Sequence, residues 1–151
     1  MQKHESSFNM LDWWKKVVLE NYANFKGRAR RAEYWNFVLL NFLIIIPFYI
    51  LAFVGSSMDS TLLSTLGFGV YGLAVLGTII PSLAVAVRRL HDINKSGWYY
   101  FICLMPLIGS IILLVWFFTD GNRFANNYGP DPKNPDAPAF DFEQPAGQVS
   151  N

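Results

Sequence analysis

Three apolar runs dominate the chain: Tyr34 to Val54, Leu62 to Val87 and Trp98 to Thr119. Between Arg31 and Arg88 the only charged residues are Glu33 and Asp59. The first run, as a helix of roughly 21 residues, spans ~31 Å, which matches the ~30 Å hydrocarbon core of a bilayer. A soluble core helix would be shorter and carry a polar stripe, and none of these runs does. The pattern predicts an all-α, polytopic membrane helical bundle with three transmembrane helices at about 34–54, 62–87 and 98–119. Each run holds one proline, Pro47, Pro81 or Pro106, which removes a helix hydrogen bond and favours a kink. Pro106 and Gly109 also interrupt the third run. A re-entrant pair of half-helices there is the alternative to a single crossing. The single crossing is favoured, because re-entrant backbone must be covered by protein or water.

The flanking segments follow different patterns. From Phe8 to Phe25, Leu11, Trp14, Val18 and Phe25 approximate one apolar face, while Asp12, Lys15, Lys16 and Glu20 lie away from it. This predicts an amphipathic helix in the headgroup plane, with Asn9 as N-cap and Asp12 complementing the helix dipole. Docking on a protein partner is the competing reading. After Asp120-Gly121, a Pro-rich stretch starts at Tyr128-Gly129-Pro130-Asp131-Pro132, and from Lys133 onward no hydrophobic period remains. The expected organisation is therefore a cytoplasmic amphipathic and basic segment (1–33), a membrane domain (34–119) and a flexible tail (120–151), in which Phe140 and Phe142 stand ready as a short docking motif.

Charge sets the orientation. The net charge of +1 conceals an asymmetry: seven of the twelve Lys and Arg precede the first run, three lie in 88–97 and two in the tail. The positive-inside bias places the N-terminus and the 88–97 loop in the cytoplasm, and three crossings leave the C-terminus in the periplasm. The N-terminal residues lack the apolar core of a cleaved signal peptide, so the first run is expected to be an uncleaved anchor. The single cysteine, Cys103, lies within an apolar run and suits neither a disulfide nor a zinc site. Along the second run, Ala74, Thr78, Ser82 and Ala86 recur every fourth position, a small-residue stripe that lets another helix approach closely within the chain or in a homo-oligomer.

Two charged clusters flank the membrane runs. One is Phe25-Lys26-Gly27-Arg28-Ala29-Arg30-Arg31-Ala32-Glu33-Tyr34-Trp35; the other is Arg88-Arg89-Leu90-His91-Asp92, with Lys95-Ser96-Gly97-Trp98 behind it. Together with Asn126, Tyr128, Gly129, Pro130, Asp131 and Pro132, these blocks resemble the domain-of-unknown-function 805 family of small bacterial inner-membrane proteins, over roughly Trp13 to Pro132. The chain departs from the family pattern at Phe124, where a second glycine is usual. The resemblance implies bacterial inner-membrane location and architecture, and no activity.

At the same interface, Glu33 is placed to meet Arg88 or Arg89 as a clasp between the first two spans. Arg88 and Asp92, four apart on a helix, are placed to pair locally. Arg28, Arg31, Arg88, Arg89 and Lys95 form a candidate site for anionic lipid headgroups, with His91 and Asp92 beside them. Adjacent His91 and Asp92 point apart on a helix, and no phosphate loop, catalytic triad or His-x-x-x-His pair is present. The expectation is a non-catalytic protein without cofactor or metal. It would organise membrane lipids or a membrane-protein partner through a basic cytoplasmic face, with no nucleic acid involved. The alternative is a subunit of an oligomeric transporter or channel, against which stands the lack of an ionisable residue in mid-span.

Overall fold

Residues 7–134 are described by a computed structural model, and they form helices and turns with no strand among them. Helix α1 (Met10–Lys15) runs into one π-helical turn (Lys16–Glu20). Helices α2 (Arg31–Ser57) and α3 (Thr61–Asp92) are long; a 3₁₀ helix (Gly97–Leu104) and α4 (Ile108–Phe118) follow. His4, Phe140 and Phe142 lie outside the described residues, as does the tail beyond Asn134.

α2 and α3 form an antiparallel hairpin. Its turn is closed by Ser60 N–H donating to the Gly55 carbonyl at 2.9 Å, with Asp59 at φ 53°. At 27 and 32 residues the two helices measure about 40 and 48 Å, longer than a ~30 Å hydrocarbon core. Only 11% and 22% of their most apolar stretches is buried. Large apolar side chains such as Leu43, Phe53, Leu66, Leu73 and Leu76 are exposed along both. Water does not tolerate such a surface, whereas lipid does.

The closest approach of the two helices is at Gly67, where a Cβ would come within 2.4 Å of the Ala52 backbone nitrogen. The expected stripe contributes less. Ala86 is buried, but Ala74, Thr78 and Ser82 are only half-buried. The Thr78 hydroxyl donates to its own helix at Ala74 O (2.9 Å) rather than across the contact, the usual internal outlet for a helical threonine.

The third apolar run is not one helix. Its 3₁₀ half ends where Met105 turns extended (ψ 107°), as a residue ahead of proline prefers. Leu107 then takes φ 64°, and α4 starts in the reverse direction. The halves pack so tightly that a Cβ on Gly109 would lie 1.7 Å from the Ile102 carbonyl oxygen. Both ends of the run lie at one end of the bundle. Gly97 abuts Val87, and the Phe117 carbonyl accepts from Trp35 Nε1 (3.3 Å) and Arg89 Nε (3.3 Å). The expected third crossing at 98–119 is thus replaced by a helical hairpin. Residues 120–134 consequently lie beside Arg28–Arg31, not at the opposite end.

The N-terminal segment also differs in its face. The capping box forms as expected, with Asp12 N–H on Asn9 Oδ1 (2.9 Å) and Asn9 N–H on Asp12 Oδ2 (3.1 Å). The π-turn advances the register, so Trp13 and Val17 are the buried pair and Leu11 is exposed. Val17 packs with Ala29, Phe37 and Val85, flanked by Trp14 and Val18. Beyond the turn, the Tyr22 hydroxyl donates to Gly77 O at 2.9 Å. Gly77 stands four residues before Pro81, so its carbonyl is the one that the proline leaves without a helical N–H. Replacing Tyr22 by Phe should therefore cost about 1 kcal/mol, read as a lower midpoint in denaturant unfolding of the detergent-purified protein. An unchanged midpoint would show that Gly77 O does not need this donor.

Candidate functional site

The charged residues of the sequence converge on the polar end of the α2–α3 hairpin. Glu33 opens α2 and is fully buried. Arg88 Nη1 reaches its Oε1 at 2.5 Å, and Lys16 Nζ reaches its Oε2 at 2.8 Å. Asp92 closes α3 and is equally enclosed, with Arg28 Nε at 2.9 Å and Arg89 Nη1 at 2.6 Å. Each carboxylate thus bridges two cations from different segments. The expected Glu33–Arg89 and Arg88–Asp92 pairings do not form. Arg89 is instead directed to Asp92, three residues on, and to α4. Arg88 keeps Nε and Nη2 without a hydrogen-bond partner among the described residues.

The guanidinium groups also collect backbone carbonyls. Arg89 takes Phe117 O and Thr119 O, and Arg31 takes Phe118 O at 3.2 Å. Arg28 takes Asn122 O and Phe124 O, the latter at 2.8 Å, and Arg30 takes Pro132 O at 2.8 Å. The last carbonyls of a helix have no partner within it, and positive charge suits the negative end of its dipole. Arg31 and Arg89 meet both needs of α4. Gly121 lies where a Cβ would be 2.1 Å from Asp92 Oδ2, so backbone presses directly on that carboxylate.

His91 is held rather than free. Its Nδ1 lies 3.1 Å from Gly27 O, its ring stacks on Tyr128 at 3.8 Å, and Asn126 Nδ2 donates to its carbonyl at 2.9 Å. Phe124 costs the loop nothing: φ there is not positive, and Arg28 uses only its carbonyl. Lys95 sits 4.5 Å above the Trp116 ring. Outside this layer, Asp120 pairs with Lys133 (2.6 Å) and Arg31 (3.2 Å) on the exposed surface. The Lys133 hydrogen bond holds the Asp120 carboxyl below its ordinary range; such an open pair is worth under about 1 kcal/mol.

Sequence reasoning brought Glu33 and Arg88 together and placed Arg28, Arg31, Arg89, His91 and Asp92 in one layer. It missed Lys16, Arg30, Gly121 and Tyr22. For Tyr22 a signal existed, since Pro81 implies a carbonyl in need of a donor. For Lys16 none did, because seventeen residues and a π-turn separate it from Glu33.

Removing the carboxylate charge should be expensive. Glu33→Gln leaves Arg88 and Lys16 buried together and should destabilise the protein by ~3–5 kcal/mol. Adding Arg88→Met should restore much of the loss. A double-mutant cycle on thermal unfolding in detergent measures this coupling, and additive losses would refute it.

The fold of residues 22–130 matches the model of a protein family described as "Protein of unknown function (DUF805)". The chain is 42% identical over 123 residues to inner membrane protein YhaI of Escherichia coli K12, covering 80% of this chain and 95% of that protein. It is 40% identical over 129 residues to inner membrane protein YhaH of the same strain, covering 82% and 98%. No solved structure matches the chain. Helices built for lipid agree with these relatives: the chain belongs to the DUF805 family and is an inner-membrane protein.

Proposed function

We propose that this protein is a non-catalytic component of the inner membrane that organises anionic lipid or a protein partner from its cytoplasmic face. The division of labour among the polar-end charges carries this reading. Arg28, Arg88, Arg89, Glu33 and Asp92 are buried in mutual pairs, so they hold the fold together and are spent. Lys15, Lys26, Arg31, Arg123 and Lys133 remain exposed around them. Exposed cations at a membrane surface attract anionic headgroups at about 1 kcal/mol each.

The hairpin formed by residues 97–118 supports a cytoplasmic placement of both the N-terminal segment and residues 120–134. With that return, every Lys and Arg among the described residues falls in 15–31, 88–95 or 123–133, all at the polar end. The opposite turn around Asp59 carries none, as the positive-inside bias requires. In this topology α2 and α3 cross the membrane, while the N-terminal segment and the 97–118 hairpin dip into one leaflet. Protein covers the irregular backbone of both dips.

Two measurements test these points. A fluorescent reporter fused behind Asn134 should be active in the cytoplasm, and an alkaline phosphatase fused there should be silent; the reverse result sinks the topology. A photocrosslinking residue at Arg123 in native membranes should yield phospholipid adducts or one recurrent protein. Adducts no different from those of a probe at Met58, in the far turn, would remove the assigned role of the cytoplasmic face.

A further inference from the structure

Between the two dipping segments the surface opens into a cleft of about 410 Å³. That is within the roughly 300–1,000 Å³ of ordinary small-molecule sites. Leu83 and Val87 of α3 form its floor, Phe25 of the N-terminal segment one wall and Phe101 of the 3₁₀ helix the other; His91 and Ser96 stand at its polar end. We propose that this cleft holds one acyl chain of a phospholipid whose anionic, hydroxyl-bearing headgroup rests against His91 and Ser96. The proposal rests on the lipid-organising reading above and gives it a location and a ligand class.

Three features select this occupant. The floor lies on α3 between Pro81 and the charged layer, a depth occupied by acyl chains in the topology above. An apolar hollow there offers water too few partners to hold it, whereas hydrocarbon fills it. The polar end has the matching chemistry. Ser96 Oγ accepts from Trp98 N–H at 3.4 Å and keeps its own proton to give to a phosphate oxygen. His91 directs Nδ1 at the Gly27 carbonyl, so in the neutral ring Nε2 is an acceptor for a headgroup hydroxyl. Charge agrees too, since Lys26 and Lys95 adjoin Phe25 and Ser96 in the chain and favour an anionic over a zwitterionic lipid. Finally, Trp98 borders the cleft yet is 79% exposed, the position of an interfacial aromatic.

Native mass spectrometry of the full-length protein in detergent, with phosphatidylglycerol and phosphatidylcholine as probes, tests the cleft. One phosphatidylglycerol per chain should be retained, favoured roughly ten-fold over phosphatidylcholine. Leu83→Trp fills the floor and should lower retention roughly ten-fold, while Leu66→Trp on the exposed outer half of α3 should leave it unchanged. Ser96→Asp keeps the N-cap of the 3₁₀ helix but adds a negative charge, so it should weaken phosphatidylglycerol alone. This second variant decides the matter if Leu83→Trp does not fold. Equal retention of the two lipids by the unaltered protein, or phosphatidylglycerol binding insensitive to Ser96→Asp, would overturn the proposal. Crosslinks from Arg123 persisting in that case would show that the cleft fails while the cytoplasmic-face reading stands.

Discussion

Two buried carboxylates govern the architecture. Glu33 starts one long helix and Asp92 ends the other, and each is gripped by a pair of cations from separate parts of the chain. The desolvation of such groups is expensive, so the pairs need not add net stability relative to an apolar core. Their effect is on geometry, because any rearrangement that separates a carboxylate from its cations leaves a buried charge alone. Lys16 and Arg88 fix the N-terminal segment and α3 against the start of α2. Arg28 and Arg89 fix the strand-like connection before α2 against the end of α3.

The same arginines solve a second problem. Folding the last apolar run into a hairpin returns the C-terminal end of α4 to the charged layer, where its final carbonyls would otherwise go unpaired. Arg31 and Arg89 supply donors and opposite charge there, while Arg28 and Arg30 bind the carbonyls of the loop that follows. The blocks that mark the family thus meet in space. The first two supply the ions, and the third, around Asn126 and Tyr128, covers His91 at the end of α3. A cluster that suggests a headgroup-binding surface when viewed as a list of basic residues is mostly internal scaffolding. Surface chemistry is left to the exposed lysines and arginines around it.

The two long helices were legible because they need only an unbroken apolar stretch of sufficient length, and the Asn9 cap because it involves neighbours three residues apart. The Glu33–Arg88 contact was legible for a coarser reason: isolated charges bordering apolar runs have few places to go. The partner of Arg89 was not legible. Asp92 and Glu33 are both acidic residues at the same interface, and the choice depends on the rotation of α3 about its axis. Nor could periodicity locate the inner face of the N-terminal helix, because the π-turn shifts the register between Lys15 and Asn21.

By itself the sequence determined that much of this chain belongs in lipid, that its cations gather near two junctions, and that a break exists at Pro106. Only the tertiary structure decided that the break reverses the chain instead of bending it. Hydropathy measures how readily a segment leaves water and is blind to its direction of travel. The direction is set by contacts between distant residues, the Gly109 backbone against Ile102 and Arg89 against the end of α4, and such contacts exist only once the helices have been brought together.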